Sequence, residues 1–186
     1  VDLQESHVTL SWRSPDIAGY PFDITITATY ALDENGLTET FTVHNNDSVK
    51  APWAFGIHPW LANGKQGATA AERDADSAAC HLQITAASHV TVNEALIPTG
   101  TEPVTGIYDL NDGPTLEGRA FDDAWVDVER AADGTTTTTF TRPDGIEVKI
   151  IGDETINAWQ CYTATGAPFA EHPYGIAVEP MTAPAN

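Results

Sequence analysis

Asp23-Ile-Thr-Ile-Thr-Ala-Thr-Tyr30 alternates apolar and polar side chains without a break, and Leu37-Thr-Glu-Thr-Phe-Thr-Val43 repeats the pattern beyond Asp33-Glu-Asn-Gly36. Successive residues of a strand point to opposite faces, so this period, carried largely by β-branched side chains, predicts two half-buried strands. The Asn35-Gly36 dipeptide between them predicts a type I′ hairpin, since that turn needs positive φ at both central residues. Upstream, Val8-Thr-Leu-Ser-Trp12 has the same alternation and Ser14-Pro-Asp-Ile-Ala-Gly19 is a turn cluster. Downstream, His44-Asn-Asn-Asp47 reads as a polar turn that carries His44.

The rest of the chain continues in this manner. Trp53, Phe55 and Ile57 are spaced as a half-buried strand leading to His58. Ala68 to Asp76 is the one stretch that invites a short helix, but its apolar face is poor and it reads as a loop or helical turn. Strands resume at His81-Leu-Gln-Ile-Thr85 and His89-Val-Thr-Val-Asn93, where both histidines alternate with apolar residues and are read as solvent-side positions. Ile97-Pro-Thr-Gly100 and Asn111-Asp-Gly-Pro114 punctuate, and Phe121 to Val128 is again a strand. Five consecutive threonines, Thr135 to Thr139, run into Phe140 and fit a strand better than a low-complexity tract. Asp144-Gly145 marks a hairpin into Glu147-Val-Lys-Ile-Ile151, and strands over Asn157 to Thr163 and Ile176 to Glu179 complete the set. At least eight short strands joined by turns, with no dependable helix, predict an all-β antiparallel sandwich or barrel.

A length of 186 residues and 41% hydrophobic content suit a single domain spanning 1–186. Acidic residues outnumber basic ones 27 to 8, giving a net charge of −19, so a nucleic acid or an anionic membrane would be repelled. Cys80 and Cys161 form no metal-ligand spacing and no disulfide framework, so no metal site is expected and both are read as buried thiols. No signal peptide and no span-length apolar run is visible, and the chain is expected to be soluble and cytoplasmic. Both ends look cut, and no oligomer signal is present.

Two residues carry the chemistry. His58 stands before Pro59, which biases it toward extended backbone and the rim of a cavity; it is either a general acid or a core histidine satisfied by a carbonyl. Glu179 likewise ends an apolar run, Ile176-Ala-Val, and precedes Pro180; it is either the matching base or a carboxylate emerging from the core.

Several motifs, in order along nearly the whole chain, resemble the aldose 1-epimerase (galactose mutarotase) family in its actinobacterial form. They are Gly19-Tyr-Pro-Phe-Asp23, Thr29-Tyr-Ala-Leu-Asp-Glu-Asn-Gly-Leu37, Phe55-Gly-Ile-His-Pro-Trp-Leu61, Ile97-Pro-Thr-Gly100, Phe121-Asp-Asp123, Trp159-Gln-Cys-Tyr-Thr163 and Ala177-Val-Glu-Pro-Met-Thr-Ala-Pro184. The resemblance implies a galactose mutarotase-like antiparallel β-supersandwich, present here as its central and C-terminal part, with no metal or organic cofactor. It implies interconversion of the α and β anomers of a free aldose such as galactose or glucose. His58 would protonate the ring oxygen while Glu179 removes the C1 hydroxyl proton. Asp122 and Gln160 match sugar-hydroxyl partners, and Trp60 would supply an apolar wall for the pyranose. The family's N-terminal portion, with its Asn-Arg pair and second histidine, and its last strand have no counterpart in this sequence; His7, His81 and His89 stand in the wrong surroundings to replace that histidine. Two other readings stand beside this one. A hexose-6-phosphate 1-epimerase would need a cationic cluster for the phosphate, and only Arg119 lies near a site motif; a non-catalytic carbohydrate-binding sandwich would have no use for both His58 and Glu179.

Overall fold

The computed structural model describes residues 1–15, 17–64, 68–164 and 175–185. They fall into two compact units, Val1–Trp53 and Ala54–Asn186.

The first unit is a four-stranded antiparallel sheet in sequence order: β1 (Asp2–Leu3), β2 (His7–Arg13), β3 (Ile24–Asp33) and β4 (Gly36–Asn45). Its register sets Ile26 opposite Trp12 and Val43, and Ala28 opposite Leu10 and Phe41, so the apolar residues share one face and the threonines the other. The hairpin forms where the sequence predicts, with a different turn. Asp33 pairs with Gly36, so the two loop residues are Glu34 and Asn35, and the positive φ falls on Gly36, at 133°, rather than on Asn35. The Asp33 carboxylate accepts from the Asn35 amide at 2.8 Å, a local turn that outcompetes the type I′ geometry. His44 belongs to β4 and is exposed.

The second unit contains β5 (Trp60–Ala62), α1 (Ala70–Ala79), β6 (His81–Ile84), β7 (Ala86–Val92), β8 (Pro98–Pro103), β9 (Asp122–Val128), β10 (Thr136–Thr141), β11 (Glu147–Gly152), β12 (Ala158–Tyr162) and β13 (Gly175–Met181). A six-stranded sheet runs β5-β13-β12-β9-β7-β8 and a three-stranded one β11-β10-β6. The core lies between their inner faces. Leu82, Ile84 and Phe140 of the smaller sheet join Trp125, Trp159, Cys161, Ile176 and Val178 of the larger. The threonine run is β10, as read, and Thr136 accepts a hydrogen bond from Trp159 Nε1 at 3.2 Å across the core. Cys80 and Cys161 are buried free thiols, with Cys80 pushed up to about 12 by desolvation.

Four readings change. Ala68 to Asp76, read as a loop or helical turn, lies largely in a ten-residue helix, α1, which buries no residue and is secured by a capping box: Thr69 Oγ1 accepts from the Glu72 amide at 3.3 Å and the Glu72 carboxylate accepts from the Thr69 amide at 2.7 Å. His89 is not on the solvent side; it is 7% exposed and its ring stacks on Tyr108 at 4.0 Å. Ile97-Pro-Thr-Gly100, read as punctuation, leads into the edge strand β8 (Pro98–Pro103), where a proline at each end is tolerated because only one side is paired. Trp53 to Ile57 forms no regular strand, and the strand of that segment follows His58 as β5. Among the described residues no helix is long and apolar enough to cross a membrane.

Phe140→Ala should lower stability by about 3–5 kcal/mol, because a 1% exposed ring between the two sheets leaves a cavity. Urea unfolding should show this as a lower midpoint with an unchanged slope.

Candidate active site

The site lies on the outer face of the six-stranded sheet. Along β13, Ile176 and Val178 point into the core, which turns Ala177, Glu179 and Met181 outward; along β12, inward Trp159 and Cys161 leave Gln160 and Tyr162 outward. Cross-strand register then sets Gln160 beside Glu179, and Tyr162 between Ala177 and Asp122 of β9.

The segment before β5 continues this sheet. Trp60 pairs with Ala177 and Gly56 bridges to Met181, so the same register puts His58 opposite Glu179. Backbone bonds bracket the pair: the Ile57 amide donates to Pro180 O at 3.3 Å and the Val178 amide to Pro59 O at 3.2 Å. Each proline lacks the N–H that would complete its rung, which is why this stretch is not a regular strand. His58 and Glu179 thus occupy a non-hydrogen-bonded pair, the kind whose side chains stand closest. Glycines hold the approach at both ends: a Cβ on Gly56 would meet Met181 Cγ at 3.0 Å, and one on Gly175 would sit 2.3 Å from the Leu61 carbonyl oxygen.

His58 Nε2 and Glu179 Oε1 are 3.1 Å apart, the imidazole half-exposed at 51% and the carboxylate side chain 7% exposed. Burial raises the Glu179 pKa above its ordinary 4.5; His58 opposes that shift and Asp122 reinforces it. Gln160 Nε2 donates to Asp122 Oδ1 at 2.8 Å, which leaves the Gln160 carbonyl oxygen and the remaining Asp122 lone pairs open to a ligand's hydroxyls. Together His58, Asp122, Gln160, Tyr162 and Glu179 line a cavity of about 350 Å³, with Met181 and Ala185 as its apolar wall. That volume is at the lower end of the roughly 300–1,000 Å³ typical of small-ligand sites. An acid and a base in contact, next to hydroxyl acceptors, can move two protons on one small polar molecule.

The sequence model of the family described as aldose 1-epimerase matches residues 1–186. The chain belongs to the aldose 1-epimerase family. Its fold is that of solved galactose mutarotase-like proteins. One from Clostridium acetobutylicum is 15% identical with a TM-score of 0.76, covering 98% of this chain and 54% of that one. Another, from Lactobacillus casei ATCC 334, is 20% identical with a TM-score of 0.72, covering 97% and 59%. The chain therefore spans a little over half the length of these proteins. No curated protein sequence matches it.

Within this member of the epimerase family, four of the five residues singled out from the sequence, His58, Glu179, Asp122 and Gln160, line one cavity. Trp60 stands behind it, its ring 5.5 Å from that of His58 and 5.9 Å from that of Tyr162. The sequence reading missed Tyr162 and Met181, although strict alternation from Gln160 and Glu179 puts both on the same outward face. Arg119 is not at the cavity: its guanidinium donates to the carbonyls of Thr115, at 3.0 Å, and of Gly106 and Ile107. Among the described residues no cluster of three His, Cys, Asp or Glu side chains could hold a metal ion.

Two outcomes follow from this geometry. Gly175→Ala should force β5 away from β13 and cost about 1–3 kcal/mol, read as a lower urea midpoint. Because folding raises the Glu179 pKa, the native state binds this proton more tightly than the unfolded chain, so stability falls as pH rises from 4.5 through the raised value. Asp123, also raised by burial, contributes with the same sign. Glu179→Gln should flatten the part due to Glu179, measured as the difference between wild-type and variant unfolding free energies across pH.

Proposed function

We propose that the protein is an aldose 1-epimerase acting on a free hexose, galactose or glucose, through His58 as general acid and Glu179 as general base. The observation that carries this reading is the 3.1 Å contact between an exposed imidazole and a buried carboxylate at the wall of a cavity whose other polar groups accept hydroxyls. Ring opening of a pyranose requires a proton delivered to the ring oxygen and one taken from the hydroxyl on the adjacent C1. Those oxygens share one carbon, so donor and acceptor must converge on a single small region. His58 gives its proton to the ring oxygen as the C1–O5 bond breaks. Glu179 accepts the C1 hydroxyl proton as the carbonyl forms. Rotation about C1–C2 turns the other face of the aldehyde to O5. Closure reverses both transfers and releases the opposite anomer with both residues restored.

The environment favours these roles. A carboxylate raised by burial is a stronger base than an exposed one, and it touches an imidazole, the side chain most often used in proton transfer. Asp122 and Gln160 would hold sugar hydroxyls and so orient the ring against the pair. Against a phosphorylated substrate stand two features: among the described residues no Lys or Arg lines the cavity, and Arg119 is engaged with backbone carbonyls. Two carboxylates, Asp122 and Glu179, would meet the phosphate instead.

Polarimetry of freshly dissolved α-D-galactose and α-D-glucose should show a faster approach to anomeric equilibrium with the protein than in buffer. His58→Ala and Glu179→Gln should each lose about 10²–10⁴-fold of that acceleration. Acceleration with glucose 6-phosphate but neither free sugar would transfer the reading to the phosphate class. Sugar binding without acceleration would make the chain a carbohydrate-binding module.

A further inference from the structure

Trp60 lies between the ring of His58 and that of Tyr162, and Tyr162 has no role in the reading above. The backbone bonds of Ile57 and Pro59 fix where His58 begins, but they leave its ring torsions free, and the side chain is 51% exposed. Apart from its 3.1 Å contact with Glu179, such a ring is held there only by what packs against it. Trp60, two residues on and on the same side of the strand, does so. Its ring lies 5.5 Å from the imidazole with 32° between the planes. Trp60 is itself 49% exposed and sits on a three-residue edge strand, so it also needs a support.

Tyr162 is that support. Its ring meets Trp60 edge-to-face, 5.9 Å between centroids and 74° between planes, a favoured geometry for aromatic pairs. The two residues are two strands apart, in one row with Ala177 between them. They touch because alanine, 0% exposed beneath them, leaves the row open above it. On its other side Tyr162 is paired with Asp122, and it lines the cavity.

We propose that Tyr162 is a positioning residue that holds the His58 imidazole against Glu179 through the ring of Trp60, joining the hydroxyl-binding side of the cavity to its acid. The proposal rests on the reading of His58 as the proton donor only for its catalytic consequence; the positioning itself is a property of the unliganded protein. A sugar that presses on Tyr162 therefore presses on the acid.

The test uses ¹⁵N-histidine-labelled protein without ligand, together with polarimetric kinetics. In Tyr162→Ala the His58 ring signals should move toward those of a free imidazole while the rest of the spectrum is retained. Its kcat should fall by about 10- to 100-fold, the scale of a slightly misplaced catalytic group, with a smaller change in KM. Tyr162→Phe, which keeps the aromatic edge and loses only the hydroxyl, should restore both. Adding Tyr162→Ala to Trp60→Ala should do no further harm to kcat or to the His58 signals. Should Tyr162→Ala fail to fold, Tyr162→Leu keeps volume without an aromatic edge and gives the same readouts. Unchanged His58 signals, or a raised KM with kcat intact, or Tyr162→Phe as impaired as Tyr162→Ala, would each overturn the proposal. If the wild-type protein accelerates no mutarotation, the epimerase reading fails while the His58 signals still decide the positioning.

Discussion

Residues 56–62 and 175–181 run antiparallel in one register, and both rungs that flank the His58–Glu179 pair lack one of their two hydrogen bonds, because Pro59 and Pro180 have no N–H. A pairing this depleted would be free to slip, and a slip by one residue would send His58 to the opposite side of the sheet from Glu179. Three features prevent it. The surviving bonds point in opposite directions, one from each segment. Thr182 adds a second anchor, its amide donating to Phe55 O at 2.8 Å while its hydroxyl accepts from the Phe55 amide, also at 2.8 Å. Gly175 lets the chains approach where any side chain would collide with the Leu61 backbone, and Gly56 spares Met181 a tight contact. The reward is placement at a non-hydrogen-bonded position, the closest that two cross-strand side chains can stand.

The same arrangement explains the protonation behaviour of the pair. Glu179 lies on a strand buried from Gly175 to Pro180, so its carboxylate loses water on folding, whereas His58 on the depleted edge keeps half its exposure. Removing one partner from such a pair leaves the buried charge uncompensated, which is why the cost falls unequally on the two residues. Burial and the nearby Asp122 push the carboxyl toward its neutral form, and the imidazole pulls it back. A carboxylate raised by burial and in contact with an imidazole is suited to take up a proton.

Much of this was legible in the sequence because it rests on local pattern. Alternation marks β3 and β4, β-branched threonines mark β10, and the repeated motif of an apolar run, a proton-transfer group and a proline picks out both His58 and Glu179. What was not legible depends on partners far away in the chain. His89 alternates like a surface residue, but Tyr108 covers it. Ala70–Ala79 has no apolar stripe, and its signal is instead the Thr69/Glu72 capping box, which was visible and not weighed. Trp60 reads as a sugar wall because it neighbours His58 in sequence; that Tyr162 packs against it depends on the register, which sets Tyr162 and Trp60 on either side of Ala177.

The cavity's electrostatics connect the overall charge to the choice of ligand. A net charge of −19 with only eight basic residues surrounds the site with a field that repels anions. Inside it, Gln160 gives one of its two amide N–H groups to Asp122, so the two carboxylates and the Gln160 carbonyl oxygen face a ligand as acceptors, while His58 and the Tyr162 hydroxyl can donate. A molecule that satisfies this set must bring several hydroxyl donors and one basic oxygen, and carry no negative charge. A neutral cyclic aldose, the substrate class proposed above, has that inventory: its hydroxyls would donate to Asp122, Gln160 and Glu179, and its ring oxygen would accept from His58. The chemistry of the lining thus argues for the substrate class independently of which sugar is preferred, and the acidity of the surrounding chain argues the same way.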